Sequence, residues 1–283
     1  MRRDLFFLCC LVLGGCAWEH GQGFAILDAT VRAAYESLPS REANDGYQRL
    51  SSDFQVRVDS GALELSSVEL RASAGGASGG FDPANPPPGY SLCHGGHCHR
   101  DDGALIPYEQ IAAELGGGGG SRTVVTLPLL VDDPMNLLAP ETREMGCTPD
   151  CALPRTTVTQ SRWGLETLRL EGTVRDSRPT PRFTGERRFV LNLASNDEAP
   201  VAVFSGEMDL PSDREHPPKT KLALNLVLTA ALFDPIDWGA LAVDTDGVVD
   251  FDDPSPANKE ARKLLIDRLA DFSPQAEVTR GDP

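Results

Sequence analysis

The chain has 283 residues, a formal net charge of −16 at pH 7, and 27 glycines and 22 prolines. So acidic a surface argues against nucleic acid and anionic lipid head groups as partners, because both are bound through clustered Lys and Arg side chains. The abundance of Gly and Pro, with only 6% aromatic residues, favours a protein of strands and loops over a helical bundle.

The N-terminus has the organisation of an export signal. Residues 2–3 are basic, and residues 5–13 form an apolar stretch that is too short to span a bilayer as a helix. The motif that follows, Leu13-Gly14-Gly15-Cys16, resembles the lipobox of bacterial lipoproteins, which has a large apolar residue, two small residues and a cysteine. This resemblance implies cleavage before Cys16 and attachment of lipid to its thiol.

The same resemblance divides the leader and suggests a location. Residues 1–15 are the expected signal peptide, and residues 16–22 are the expected lipid-anchored tether. In that family, Ala17 in place of Asp implies the outer membrane. The alternative is an ordinary secretory signal with an unrelated cysteine, and both interpretations export the protein to the bacterial cell envelope.

Alternating apolar residues predict a series of strands separated by Gly and Pro clusters. The alternation is strictest at residues 222–228, where every second residue is leucine. A turn at Ser60-Gly61 is expected to divide residues 53–70 into two strands, and residues 24–35 fit a first strand better than a short helix. The other predicted strands are residues 124–131, 165–174, 189–193 and 201–210.

Two segments have helical patterns, at residues 107–115 and 257–272. Pro107 suits the first position of a helix, where a missing N–H group costs nothing. The second segment places several apolar residues on one side, namely Leu264, Leu265, Ile266 and Leu269. Together, these strands and helices predict a mainly antiparallel β-sandwich with one or two peripheral helices.

The domain organisation follows from these elements. We expect a single sandwich domain over residues 23–275 and a C-terminal tail at residues 276–283. Residues 72–121 contain Gly-rich and Pro-rich stretches and are predicted to form a long excursion out of the sandwich. Long loops on rigid sheets often carry function.

The excursion contains the segment 93–99, Cys-His-Gly-Gly-His-Cys-His, which holds three of the five histidines. Gly95-Gly96 can adopt the positive φ angles of a two-residue hairpin turn. His94 and His97 would then face each other, and His99 would return to the same face because side chains alternate along a strand. The two cysteines would form the next cross-strand pair on the opposite face, close enough for a disulfide.

Export limits the cysteines that remain in the mature chain. Cys9 and Cys10 leave with the signal peptide, and Cys16 is expected to carry lipid. An even number in an oxidising compartment indicates two disulfides among the other four, Cys93, Cys98, Cys147 and Cys151. Three connectivities are possible; local pairs are the simplest, whereas crossed pairs would join two distant loops.

Three imidazoles on one face suit a borderline metal ion. The hairpin therefore predicts a copper or zinc site at His94, His97 and His99. If the thiols stayed reduced, they would join the ligand set as thiolates.

A metal site with three imidazoles needs a fourth ligand. Met145 lies near Cys147 in the chain and is a candidate if the two cysteine loops meet, in which case its thioether would favour copper. His216, Asp101 and Asp102 are further candidates for a ligand or a supporting contact.

Two further resemblances are partial. Cys93, Cys98 and His99 resemble the long-spaced haem attachment motif of some multihaem c-type cytochromes, which implies two thioether bonds to haem c and an iron-ligating histidine. Residues 242–253 resemble an EF-hand calcium loop, but Ala242 stands where that loop needs a carboxylate. A tight turn at Gly247 is the simpler interpretation of that segment.

No sequence motif indicates catalysis. The chain has no G-x-S-x-G elbow, no H-E-x-x-H helix and no phosphate-binding loop before a helix, so we expect no enzymatic activity. Two functions lead: a lipid-anchored protein that binds copper or zinc, and a structural lipoprotein that presents its disulfide-held hairpin to another envelope protein. A haem protein is the third alternative.

Overall fold

A computed structural model describes residues 25–73, 86–94, 97–101, 104–108, 110–111, 123–131, 134–154, 156–195, 199–213, 216 and 218–281. The expected signal peptide, the lipidated Cys16 and the tether lie outside these ranges. No helix in the described part of the chain is long and apolar enough to cross a membrane.

Strands dominate the described residues, and an α-helix, α1 (Pro256–Leu269), lies near the C-terminus. Short 3-10 helices occupy Pro39–Arg41, Asn44–Gly46 and Ala230–Phe233. The strands, in chain order, are β1 (Ala25–Glu36), β2 (Gln48–Arg49), β3 (Phe54–Ser73), β4 (Tyr90–His94), β5 (His97–Arg100), β6 (Leu105–Pro107), β7 (Thr123–Leu130), β8 (Met135–Asn136), β9 (Arg143–Glu144), β10 (Gly146–Cys147), β11 (Ala152–Leu153), β12 (Thr156–Asp176), β13 (Glu186–Ala194), β14 (Ala202–Ser212), β15 (Lys219–Thr229), β16 (Val248–Asp250) and β17 (Gln275–Arg280).

Two sheets form the body of the protein. The first has the order β11-β1-β15-β17, with β9 also paired to β1. The second has the order β10-β7-β3-β12-β13-β16, with β14 paired to β12, and β2 and β8 paired to β3. Within these two sheets, the β1–β15 and β13–β16 pairs are parallel and the other described pairs are antiparallel.

The core lies between the two sheets. Alternate side chains of β15, from Leu222 to Leu228, are buried, because side chains along a strand point to opposite faces in turn. They belong to one cluster with inward-facing residues of the second sheet, such as Leu70 and Trp163. The predicted β-sandwich is therefore confirmed, as is the first strand expected at residues 24–35.

The longest strands, β3 and β12, pair along most of their length. The predicted turn at Ser60-Gly61 is wrong, because both residues pair with β12 and the strand continues to Ser73. A β-bulge at Asp59 explains the sequence pattern. One extra residue switches the buried positions from even numbers, such as Val56, to odd numbers, such as Leu63, without ending the strand.

The C-terminal tail predicted from residue 276 is replaced by β17, which pairs with β15 from Gln275 to Arg280. Ala276 and Val278 are its only apolar residues, and both pack only partly against the core. The segment therefore lacked the hydrophobic signal on which the strand prediction depended.

Helix α1 packs against β14 and the 3-10 helix Ala230–Phe233. Ser255 caps its N-terminus by accepting a hydrogen bond from the Asn258 N–H group, and Pro256 occupies the first turn. Its buried residues follow helical spacing at Asn258, Ala261, Leu265 and Leu269. The predicted helix at residues 257–272 is confirmed with slightly shifted ends.

The segment predicted to leave the sandwich contains a third, separate antiparallel sheet of order β4-β5-β6. The other predicted helix was expected to begin at Pro107 and to run to residue 115. Pro107 is instead the last residue of β6. Residues 109 and 112–115 lie outside the described part of the chain.

Candidate functional site

The cysteine–histidine hairpin has the predicted register. Cys93 pairs with Cys98, and His94 pairs with His97 across β4 and β5. The two cysteines form a disulfide with Cα atoms 4.0 Å apart. Gly95-Gly96 and the side chain of His94 lie outside the described part of the chain.

The opposite face of the hairpin has its own small hydrophobic core. Cys98 is fully buried beside Ile106 of β6 and Ile111, and this cluster is separate from the sandwich core. Because side chains alternate along β5, burial of Cys98 directs His97 and His99 to the other face. The disulfide and this cluster thus fix which face of the hairpin presents the histidines.

His97 and His99 line an open cleft of about 510 Å³ between the hairpin and helix α1. Their imidazole centroids are 5.6 Å apart and the two rings are tilted by 50°. Both side chains are half-buried. The other lining residues are Leu105, Pro235, Leu264, Asp267, Arg268, Ala270 and Asp271.

The part of the lining contributed by α1 and the residues after it is charged. Asp267 lies in the last turn of α1 and Asp271 two residues beyond its end, near the negative end of the helix dipole, and both residues are exposed. Arg268 lies between them and pairs with Asp271 at 2.5 Å, while its Nε donates a hydrogen bond to the Ala231 carbonyl. Two carboxylates and one guanidinium therefore line the same cleft as the two imidazoles.

The side chains around this cleft do not form a coordination shell in the structure. Among the described residues, no three side chains of His, Cys, Asp or Glu stand close enough together to hold a metal ion as they are. The cleft brings metal-ligating residue types from the hairpin and from α1 to a common space.

Met145 does not reach this space. Its side chain is buried in the sandwich core, and its backbone N–H group donates a hydrogen bond to the Ala29 carbonyl. The reason is topological, because the neighbouring β9 pairs with one sheet and β10 with the other. Met145 therefore lies between the sheets as a packing residue.

The other candidate ligands are also absent from the lining of the cleft. His216 Nδ1 lies 2.7 Å from the Asp213 carboxylate in the loop between β14 and β15. The Asp101 N–H group donates to the Gly89 carbonyl and closes the base of the hairpin. Asp102 lies outside the described residues.

The second disulfide is the other local pair, Cys147–Cys151, with Cα atoms 5.0 Å apart. It spans the short connection from β10 in one sheet to β11 in the other. Both pairs are local, so all four sulfur atoms are used. The sulfur atoms of Cys93 and Cys98, which haem attachment or thiolate ligation would need, are joined to each other.

The segment resembling an EF-hand is a tight turn. Asp244 Oδ1 accepts hydrogen bonds from the N–H groups of Asp246 and Val248, both at 2.8 Å. Gly247 has a φ angle of +77°, a conformation that glycine adopts without strain. The Asp244 carboxylate therefore stabilises the turn itself.

Sequence reasoning missed the two carboxylates of the cleft. Helix α1 was predicted, and Asp267 and Asp271 are four residues apart, which places them on one face. Nothing local in the sequence indicates that this face lines a cleft with the hairpin.

Comparison of the chain with protein-family models, curated proteins and solved structures finds no match.

Proposed function

We propose that the protein is a non-enzymatic, lipid-anchored protein of the bacterial cell envelope that binds a copper or zinc ion on the histidine face of the hairpin. The observation that carries this proposal is the separation of the His97 and His99 rings, whose centroids lie 5.6 Å apart in one cleft. Two imidazoles that share a tetrahedral ion with bonds of about 2.0 Å have centroids roughly 5 Å apart. The separation of the two rings is therefore close to the one that a shared ion requires.

The hairpin also restricts the freedom of these ligands. The disulfide and the buried cluster around Cys98 hold β5 in place, so that ion binding orders little additional backbone. His94, paired with His97 in the backbone register, is the third ligand that the sequence predicts. The lipid anchor at Cys16 supports an envelope location through the lipobox resemblance.

The test is metal uptake by the full-length chain, expressed in a bacterial host and purified from the envelope fraction. Native mass spectrometry should detect one copper or zinc ion per chain, lost under denaturing conditions. Replacing His94, His97 and His99 by Ala should abolish this uptake and leave the fold intact, whereas His216→Ala is the matched control and should retain it. Unchanged uptake in the triple variant would contradict the proposal.

A second candidate is a structural lipoprotein that uses the hairpin to contact another envelope protein. It is favoured by Leu105, which pairs with His99 and is 50% exposed at the rim of the cleft. In that case, partner capture should depend on the Cys93–Cys98 disulfide and be insensitive to chelators. Capture that requires the histidines and added metal would count against it.

A further inference from the structure

We propose that Asp267 of α1 and Asp271, just after the helix, complete this metal site, so that the ion bridges the hairpin and the C-terminal end of α1 and is divalent, Zn²⁺ or Cu²⁺, and not Cu⁺. This inference rests on the proposed function and adds the other half of the ligand set. Neither carboxylate is adjacent in sequence to the hairpin, and only the fold brings them to it.

The first argument is placement. His97, His99, Asp267 and Asp271 all line this cleft. The two carboxylates are four residues apart, and the Asp271 N–H group donates to the Arg268 carbonyl, which continues the helical turn past the end of α1. Two imidazoles and two carboxylates therefore point to a site of mixed nitrogen and oxygen donors, to which the predicted ligand His94 adds a further imidazole. No three of the described side chains stand close enough to hold an ion as they are, so ion binding must bring them together.

The second argument is the chemistry of the donors. Imidazole and carboxylate ligands suit Zn²⁺ and Cu²⁺, whereas Cu⁺ is selected by thiolate and thioether ligands. The thioether that sequence spacing offered, Met145, is buried in the sandwich core, and the hairpin cysteines are oxidised. None of the described residues that line this cleft is thus a soft donor.

The third argument is charge. The two negative charges of Asp267 and Asp271 balance the charge of a divalent ion, and Arg268 adds one positive charge. In the structure, Arg268 pairs with Asp271 at 2.5 Å and occupies this carboxylate as an internal counter-ion. Ion binding therefore competes with the Arg268 guanidinium for the Asp271 carboxylate.

The test compares Zn²⁺ affinities of full-length variants by competition with a chromophoric chelator. Asp267→Asn/Asp271→Asn should lower the affinity by at least about tenfold, the lower end of the effect of altering the environment of a metal site. The matched control, Glu260→Gln/Glu277→Gln, removes the same charge from exposed positions outside the cleft and should retain the wild-type affinity. Circular dichroism checks that each variant is folded.

Arg268→Ala provides a test of opposite sign. It frees Asp271 and should raise Zn²⁺ affinity, whereas Arg262→Ala, which removes a cation elsewhere on α1, should not. Cu²⁺ bound to the wild-type chain should give an electron paramagnetic resonance spectrum of mixed nitrogen and oxygen ligation, which the double Asn variant loses. Preferential binding of Cu⁺ over Zn²⁺ and Cu²⁺ would overturn the assignment.

The outcomes separate the two proposals. If the double Asn variant binds Zn²⁺ as tightly as its control, while replacement of His97 and His99 by Ala abolishes binding, the hairpin binds metal without the helix and this inference fails alone. If the wild-type chain binds neither zinc nor copper, the proposed function fails, and the inference fails with it.

Discussion

Asn258→Ala should be among the more damaging single substitutions in the protein. Asn258 is fully buried on α1, and its side chain makes three hydrogen bonds to the backbone of the segment before the helix. Its Oδ1 accepts from the Ala242 N–H group at 2.9 Å, and its Nδ2 donates to the carbonyls of Ala242 and Asp250 at 3.2 and 2.7 Å. Alanine leaves all three backbone groups without this partner.

The magnitude follows from that count. A buried polar group that loses its partner costs about 1–3 kcal/mol, and partial access of water to a surface helix brings each toward the lower end. Three such groups give a loss of roughly 3–5 kcal/mol in the free energy of unfolding. Urea unfolding followed by circular dichroism measures this difference. Lys259→Ala, at the exposed neighbouring position, is the control and should change stability by less than about 0.5 kcal/mol.

A loss below about 1 kcal/mol for Asn258→Ala, the worth of one ordinary hydrogen bond, would refute the reasoning. It would mean that the packing of α1 on the sandwich is maintained by its apolar residues alone. The result matters for the cleft because its carboxylates come from the C-terminal end of α1. A helix attached by specific hydrogen bonds can hold Asp267 and Asp271 in a fixed position in the lining of the cleft.

Two further predictions concern acid stability and the leader. The Asp176 carboxylate is hydrogen-bonded by the Arg178 guanidinium and by backbone N–H groups, which hold its pKa well below the usual range. Its contribution is therefore present above about pH 4 and is lost as the pH falls further, so the stability difference between wild type and Asp176→Asn, measured by thermal unfolding, should shrink below about pH 4. Cys16→Ser should abolish incorporation of labelled palmitate into the chain in a bacterial host; labelling that persists would contradict the lipobox assignment.

The hairpin was predictable because its determinants are local. Two central glycines, flanking histidines and outer cysteines specify a register over seven residues, and the pairing of Cys93 with Cys98 follows from it. This register places Cys93 beside Cys98 in the backbone but does not by itself exclude crossed disulfides; the structure has both local pairs, Cys93–Cys98 and Cys147–Cys151. A local sequence pattern can predict which neighbouring residues pair across a turn, whereas the relative position of distant loops depends on the topology of the whole fold.

The errors in the strand predictions share one physical origin. Apolar alternation reports which residues face the core, and it becomes ambiguous wherever a bulge shifts the alternation or a strand buries little apolar surface. The bulge at Asp59 produced a false turn, and the sparsely apolar β17 was missed. Met145 was assigned to a metal site from its neighbour Cys147, although its own apolar side chain is better accounted for by burial between the sheets.

Net charge and ligand geometry make different contributions to cation binding. A formal charge of −16 raises the local concentration of every cation, but its field is screened within about 8 Å at physiological ionic strength and does not distinguish cations of equal charge. Selection must come from donor atoms at short range. Imidazoles discriminate against Mg²⁺ and Ca²⁺, which prefer oxygen ligands, and carboxylates discriminate against Cu⁺. The cleft is lined by both kinds of donor, the imidazoles of His97 and His99 from the hairpin and the carboxylates of Asp267 and Asp271 from the end of α1. If it binds an ion as proposed, both kinds of discrimination act at one site.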